Sequence, residues 1–362
     1  MAEVRLIRID AKDFQEQLGK LAATMAEKIY REGQRHIPGP EFVKDDLTTL
    51  LRYGASVYNL LNYLNADERR KEDPYWYVRY GVTAMSLVRS LIDCLYNVIA
   101  ILENPNQKAI QYRKSGFKKV LDEMEEDREK YGGQPEMDEY INIRRKSVVD
   151  LLRASGFTVD EILATPKHEG WPTFGQYINK EYPGGVQTEQ QKFLKTFAHL
   201  HWRQYSALSH GAYEAFIGTL GNVPVGAYYV NDFLPHIVRD KLEESYQLFL
   251  SIHLGRSATV LLCIVTELQA YCRFDGANID HRICEVWATL LPSLPTRELY
   301  DARYSALMHE RKMVGAEEED LLKRACLLEM AAMRTRPRTP IKDQLLKALD
   351  DVGGEQLDVL GL

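Results

Sequence analysis

Apolar residues recur at three- and four-residue intervals along nearly the whole chain, and nowhere do they alternate with the two-residue period of a half-buried strand. Phe14, Leu18, Leu21, Met25 and Ile29 make one such series, and Met85, Val88, Ile92, Leu95, Ile99 and Leu102 make another. A pattern of this period folds only as helices that bury a stripe against other helices. The expected class is therefore all-α, an up-and-down helical bundle with additional N- and C-terminal helices.

Breakers and caps divide the pattern. A first helix over residues 11–31 ends at Gly33 and the Pro38-Gly39-Pro40 turn, and Asp45-Asp46 opens a second. Pro74 starts a third, running to about Leu102, and further helices are expected over 108–130, 137–155 and 159–164. Residues 165–186, rich in Gly, Pro and aromatics, read as an ordered loop placed to cover a site. Thr188-Glu189-Gln190-Gln191 is a capping box that opens a helix to about Leu220. After a loop with a short extended run at 226–230, a very long helix follows over 235–274. Two helices around Pro292 and Pro295, one over 317–333 and a short one over 341–349 complete the chain. This organisation suggests an N-terminal extension (1–72), a central bundle (73–276) and a C-terminal helical region (277–362).

The chain has 362 residues and a net charge of −6, which argues against a broad basic surface for nucleic acid but not against a local basic site. Arg144-Arg145-Lys146 is a basic triplet that reads first as an exposed helix face. Five cysteines lie far apart, mostly in apolar helical surroundings, and read as buried free thiols of a cytoplasmic protein. The first twelve residues are charged throughout, unlike a signal peptide, and the most apolar run, 258–265, is too short to span a bilayer, so no membrane association is expected. Nine histidines form no metal-ligand spacing, and there is no phosphate-binding or dinucleotide glycine motif, so neither metal nor cofactor is expected.

The chemistry-bearing stretch is residues 199–211. On a regular helix Arg203, Ser206 and His210 fall within a strip about 60° wide. Histidine exchanges a proton near neutral pH, and arginine offers a permanent bidentate charge suited to phosphate oxygens. Together they are a minimal set for RNA cleavage without a metal. The plain structural alternative has Arg203 reaching solvent and His210 packing near Gly211. On the third helix a narrow polar seam, Ser86, Arg89, Ser90, Asp93 and Asn97, interrupts an otherwise apolar surface. It reads equally as a solvent strip with one helix ion pair or as the wall of a polar cleft. A local echo, Arg203-Gln-Tyr-Ser-Ala-Leu-Ser-His210 against Arg303-Tyr-Ser-Ala-Leu-Met-His309, reads as coincidence, because Arg303 and His309 fall on different helix faces.

Trp202-Arg203-x-x-Ser206-x-x-x-His210-Gly211 resembles the signature of HEPN domains, whose Arg-x4–6-His motif lies on a helix of an all-α bundle. It looks closest to a bacterial branch with an aromatic-Arg-x-x-Ser-x-x-x-His motif. That branch also carries an Arg and, four residues on, an acid on an earlier helix; Arg89 and Asp93 match the spacing, with Asp in place of Glu. The resemblance, over roughly residues 75–274, implies a metal-independent endoribonuclease, often homodimeric, often a toxin with a protein antitoxin or an antiphage effector. Its catalytic residues here are His210 (acid/base), Arg203 (scissile phosphate), and Ser206 and Asp93, which orient them. Arg89, Tyr205 and Asn97 are substrate contacts. The alternative is a non-catalytic interaction or RNA- or nucleotide-binding module in which the same strip is a buried polar network.

Overall fold

The computed structural model describes residues 11–66, 76–166, 169–180, 185–202, 205–206, 239–276 and 278–335. Helices dominate them and no strand occurs among them. The extended run expected at 226–230 and the last helix at 341–349 lie outside the described residues.

Helix α1 (Ala11–His36) runs past Gly33 instead of stopping there. A Cβ on Gly33 would lie 3.1 Å from Lys44 Cβ and 3.3 Å from Ile29 Cγ2, so this glycine serves a close approach to the next helix. The chain turns at residues 37–40, where Gly39 takes a φ of +131°. Helix α2 (Phe42–Ala66) therefore begins three residues before Asp45. Its Asp46 is held by Arg113 of α4 (Pro105–Tyr131), both carboxylate oxygens accepting from Nε at 2.9 Å. Helix α3 (Trp76–Glu103) follows the expected stripe, with Val88, Leu91, Ile92, Leu95 and Val98 fully buried.

Helices α5 (Pro135–Ala154) and α6 (Val159–Ala164) pack on α4 around a small separate core of Leu121, Met124, Leu152, Phe157 and Ile162. Arg144 and Arg145 are drawn into ion pairs with Glu123, Asp127 and Glu125 of α4. Within the segment read as an ordered loop, residues 169–180 are described. They hold the five-residue α7 (Phe174–Ile178), started by a Thr173/Gln176 capping box.

Helix α8 (Glu189–Phe197) opens on the expected Thr188/Gln191 capping box. The expected continuous helix then gives way to a π-helical turn, π1 (Ala198–Trp202), before α-helix resumes at Tyr205 and Ser206. A π turn inserts one extra residue, which rotates everything after it by about 100° relative to the face of α8.

Helix α9 (Arg239–Cys272) is the centre of the molecule, packed against α1, α2, α3 and α10 (Ile279–Leu290). Residues 257–265 are each at most 1% exposed, so this helix is enclosed on all sides. Beyond α10 the two expected helices resolve into α11 (Leu294–Leu299), a second π turn, π2 (Tyr300–Tyr304), and α12 (Ser305–Glu310). Helix α13 (Ala316–Thr335) covers α10. One continuous apolar core contains Leu18, Leu95, Leu261, Trp287 and Met308, and so draws on all three segments of the chain. Each such aliphatic side chain contributes about 1.5–3 kcal/mol on burial. Four of the five cysteines are buried, Cys326 is partly exposed, and all are free thiols. Among the described residues one helix, Thr83–Glu103, is long and apolar enough to cross a membrane, and 67% of its apolar window is buried inside the protein.

Candidate functional site

The polar seam of α3 is not a plain solvent strip. Arg89, Asp93 and Asn97 follow one another at four-residue spacing on one face. Arg89 and Asp93 form an ion pair. The Arg89 guanidinium, 18% exposed, lies 5.2 Å from the centre of the Trp202 ring. Trp202 closes π1 and stacks on Phe174 of α7 with ring centres 5.0 Å apart and planes at 27°. The seam is thus capped by the residue that immediately precedes Arg203. Asp93 remains half exposed; burial raises its carboxyl above the usual range, against the pull of Arg89. The indole N–H of Trp202 is buried with no acceptor among the described residues.

The C-terminal end of the seam lies under the 165–186 segment. Asn97 Oδ1 accepts from Trp171 Nε1 at 2.9 Å, and Tyr96 donates to the Pro172 carbonyl at 2.6 Å. Gln111 of α4 ties the strap down by donating to the carbonyls of Glu169 and Gly170, each at 3.0 Å. Tyr96 packs edge-on against Phe174, and Trp171 edge-on against Tyr112. The segment expected to cover a site therefore covers this seam, with Asn97 as one of its fastenings.

Tyr205 points the other way, into the protein. Tyr205 is fully buried, its hydroxyl 2.6 Å from His253 Nδ1 of α9. Arg256 NH1 donates to the same hydroxyl at 3.3 Å. With Arg256 donating to its oxygen, the tyrosine O–H donates to Nδ1, which places the proton of the neutral ring on Nε2. Burial first, and Arg256 second, push His253 down to about 3, so it stays uncharged near neutrality. Ser206 is 9% exposed.

Of the residues singled out in the sequence, the structure brings Arg89 and Asp93 together beneath Trp202, fastens Asn97 to Trp171, buries Tyr205 against α9 and leaves Ser206 9% exposed. Arg203 and His210 lie outside the described residues. Sequence reasoning missed His253 and Arg256, 48 and 51 positions from Tyr205. Their signal was present: two polar residues at the edge of the most apolar run in the chain need buried partners. A second buried pair was missed too. Arg303 of π2 grips Glu267 of α9 through Nε at 2.5 Å and NH2 at 2.8 Å, with the carboxylate side chain only 5% exposed. Among the described residues no group of three or more His, Cys, Asp or Glu is placed to hold a metal ion. No family model, curated protein or solved structure matches this chain.

Proposed function

We propose that this chain is a HEPN-type endoribonuclease that cuts RNA without a metal ion. The observation that carries the reading is the Arg89–Asp93 pair packed onto Trp202, one residue before Arg203. It fits the Arg-and-acid partner helix that the motif resemblance calls for. In this reading His210 takes the proton of a ribose 2′-OH. The 2′ oxygen attacks phosphorus, the P–O5′ bond breaks, and the 5′ oxygen leaves with a proton. Arg203 stabilises the charge on the phosphorane, and Ser206 and Asp93 orient the pair. The products are a 2′,3′-cyclic phosphate and a 5′-OH. A cytoplasmic homodimer acting as a toxin or antiphage effector, held by a protein partner, is the setting that accompanies this reading.

The test is incubation of the pure protein with total RNA in EDTA, alongside Arg203→Ala and His210→Ala. Cyclic-phosphate ends should appear with the wild type alone. Undiminished cutting by His210→Ala protein refutes the assignment. A second reading, a non-catalytic RNA-binding or interaction module, is favoured by the full burial of Tyr205 and its bonds to His253 and Arg256. Under it His210→Ala lowers the melting temperature with no activity to lose.

A further inference from the structure

Both π turns border one open cleft. Lys192 and Lys195 of α8 and His199 of π1 line one wall, and Glu298 of α11 and Asp301 of π2 line the other, around a volume of about 800 Å³. A second hollow of about 440 Å³ shares Lys192 and Lys195, so the groove continues around the start of α8. Lys192, Lys195 and His199 lie within a strip about 60° wide. All five side chains belong to exposed residues.

The charges here are arranged unusually. Lys192 holds Glu189 at 2.7 Å with both side chains more than half exposed, a pair worth little and readily exchanged. Lys195, Glu298 and Asp301 make no ion pair among the described residues. Lys192 and Lys195 stand on the α8 wall and Glu298 and Asp301 on the other, where Arg297 acts on Asp301. A ligand that satisfies both walls is anionic along one edge and donates hydrogen bonds along the other. Single-stranded RNA has that form, with phosphates on one side and exocyclic amino groups of the bases on the other. π turns concentrate at functional sites, and two of them frame this cleft.

We propose that this cleft is the approach track for single-stranded RNA, with phosphates along Lys192, Lys195 and His199 and base amino groups against Glu298 and Asp301. The proposal rests on the reading of the chain as acting on RNA, and it adds the path of the strand and a preference for amino-bearing bases.

The test is fluorescence anisotropy with full-length protein and labelled 2′-O-methyl oligo-C and oligo-U of about ten nucleotides, which the 2′-OH route cannot cut. Losing two phosphate contacts on a single strand removes about 1.4 from the slope of log affinity against log salt. Between about 50 and about 200 mM salt the wild type should therefore lose about 7-fold more affinity than Lys192→Ala/Lys195→Ala. The control Lys119→Ala, an exposed lysine of α4, should match the wild type. Oligo-C, which carries an amino donor, should bind at least about 5-fold tighter than oligo-U, and Glu298→Ala/Asp301→Ala should erase the difference. Equal salt slopes for the wild type and the lysine variant, or equal affinity of the wild type for the two oligomers, overturn the track. If binding follows this pattern but total RNA is never cut, the ribonuclease reading falls and the track stands. If RNA is cut and the lysine variant binds as the wild type does, the track falls alone.

Discussion

His253 makes the stability of this protein sensitive to acid in a way that one substitution isolates. Its ring is enclosed between Tyr205 and the apolar body of α9, and its folded-state value lies at about 3 against an ordinary 6.5. The unfolded chain therefore takes up a proton at this position long before the folded one does. The contribution is intact above pH of about 6.5 and is lost progressively as the pH falls toward about 3. Between pH of about 7 and about 5 the loss from this residue alone amounts to about 2 kcal/mol. For a chain of 362 residues that corresponds to a fall of about 2–3 °C in melting temperature. Burial pushes the carboxyls of Asp46, Asp93, Asp280 and Asp301 upward, and these groups act in the opposite direction. They are common to the wild type and to His253→Gln, so they cancel in the comparison. The assay is urea unfolding of both proteins at the two pH values. The wild type should lose about 2 kcal/mol more on acidification than His253→Gln, whatever the absolute stability of the variant. Identical acid dependence in the two proteins refutes the argument, because it means that His253 is protonated as easily in the fold as out of it.

Two other substitutions test the buried polar contacts of α9. Tyr205→Phe keeps the ring and removes the hydroxyl that serves His253 and Arg256; a loss of about 1–3 kcal/mol is expected in the urea midpoint, with helix content unchanged by circular dichroism. Glu267→Gln leaves the Arg303 guanidinium buried without its counter-charge and should cost about 3–5 kcal/mol, whereas replacing both residues by apolar ones of similar volume should cost much less.

The helical class and most helix positions were legible because burial along a helix writes a period into the sequence. The Thr188/Gln191 capping box was legible for the same reason: it is a local hydrogen-bond pattern at fixed spacing. What failed were the interruptions. Gly33 looked like a terminator, yet it is the contact point of two helices, a fact that depends on Lys44 and Ile29 rather than on its neighbours in sequence. The five residues of α7 are too few to show a period. The π turns leave no periodic signature at all, because each is a one-residue insertion confined to five residues. For the candidate site, the Arg89–Asp93 pair followed from four-residue spacing, while Tyr205–His253 and Arg303–Glu267 join positions 48 and 36 apart, so that polar residues beside an apolar run could signal a buried partner but not which one.

The tyrosines that begin the two Tyr-Ser-Ala-Leu strings, Tyr205 and Tyr304, both meet α9. Tyr304 closes π2 and lies fully buried against Cys263 of α9; Tyr205 follows π1 by three residues and lies fully buried against His253. Ten residues of α9 separate the two anchor points, about 15 Å along its axis. The walls of the cleft are the helices that lead into these tyrosines, and Phe193 of α8 joins them by packing edge-on against Tyr304, 5.4 Å between ring centres, beneath the Arg303 guanidinium. Helix α9 thus holds the tyrosine beside each π turn while lining neither wall of the cleft. If the cleft is the track proposed above, a change at Lys195, exposed on α8, should alter RNA binding with little effect on stability, whereas a change at the buried His253 should alter stability first.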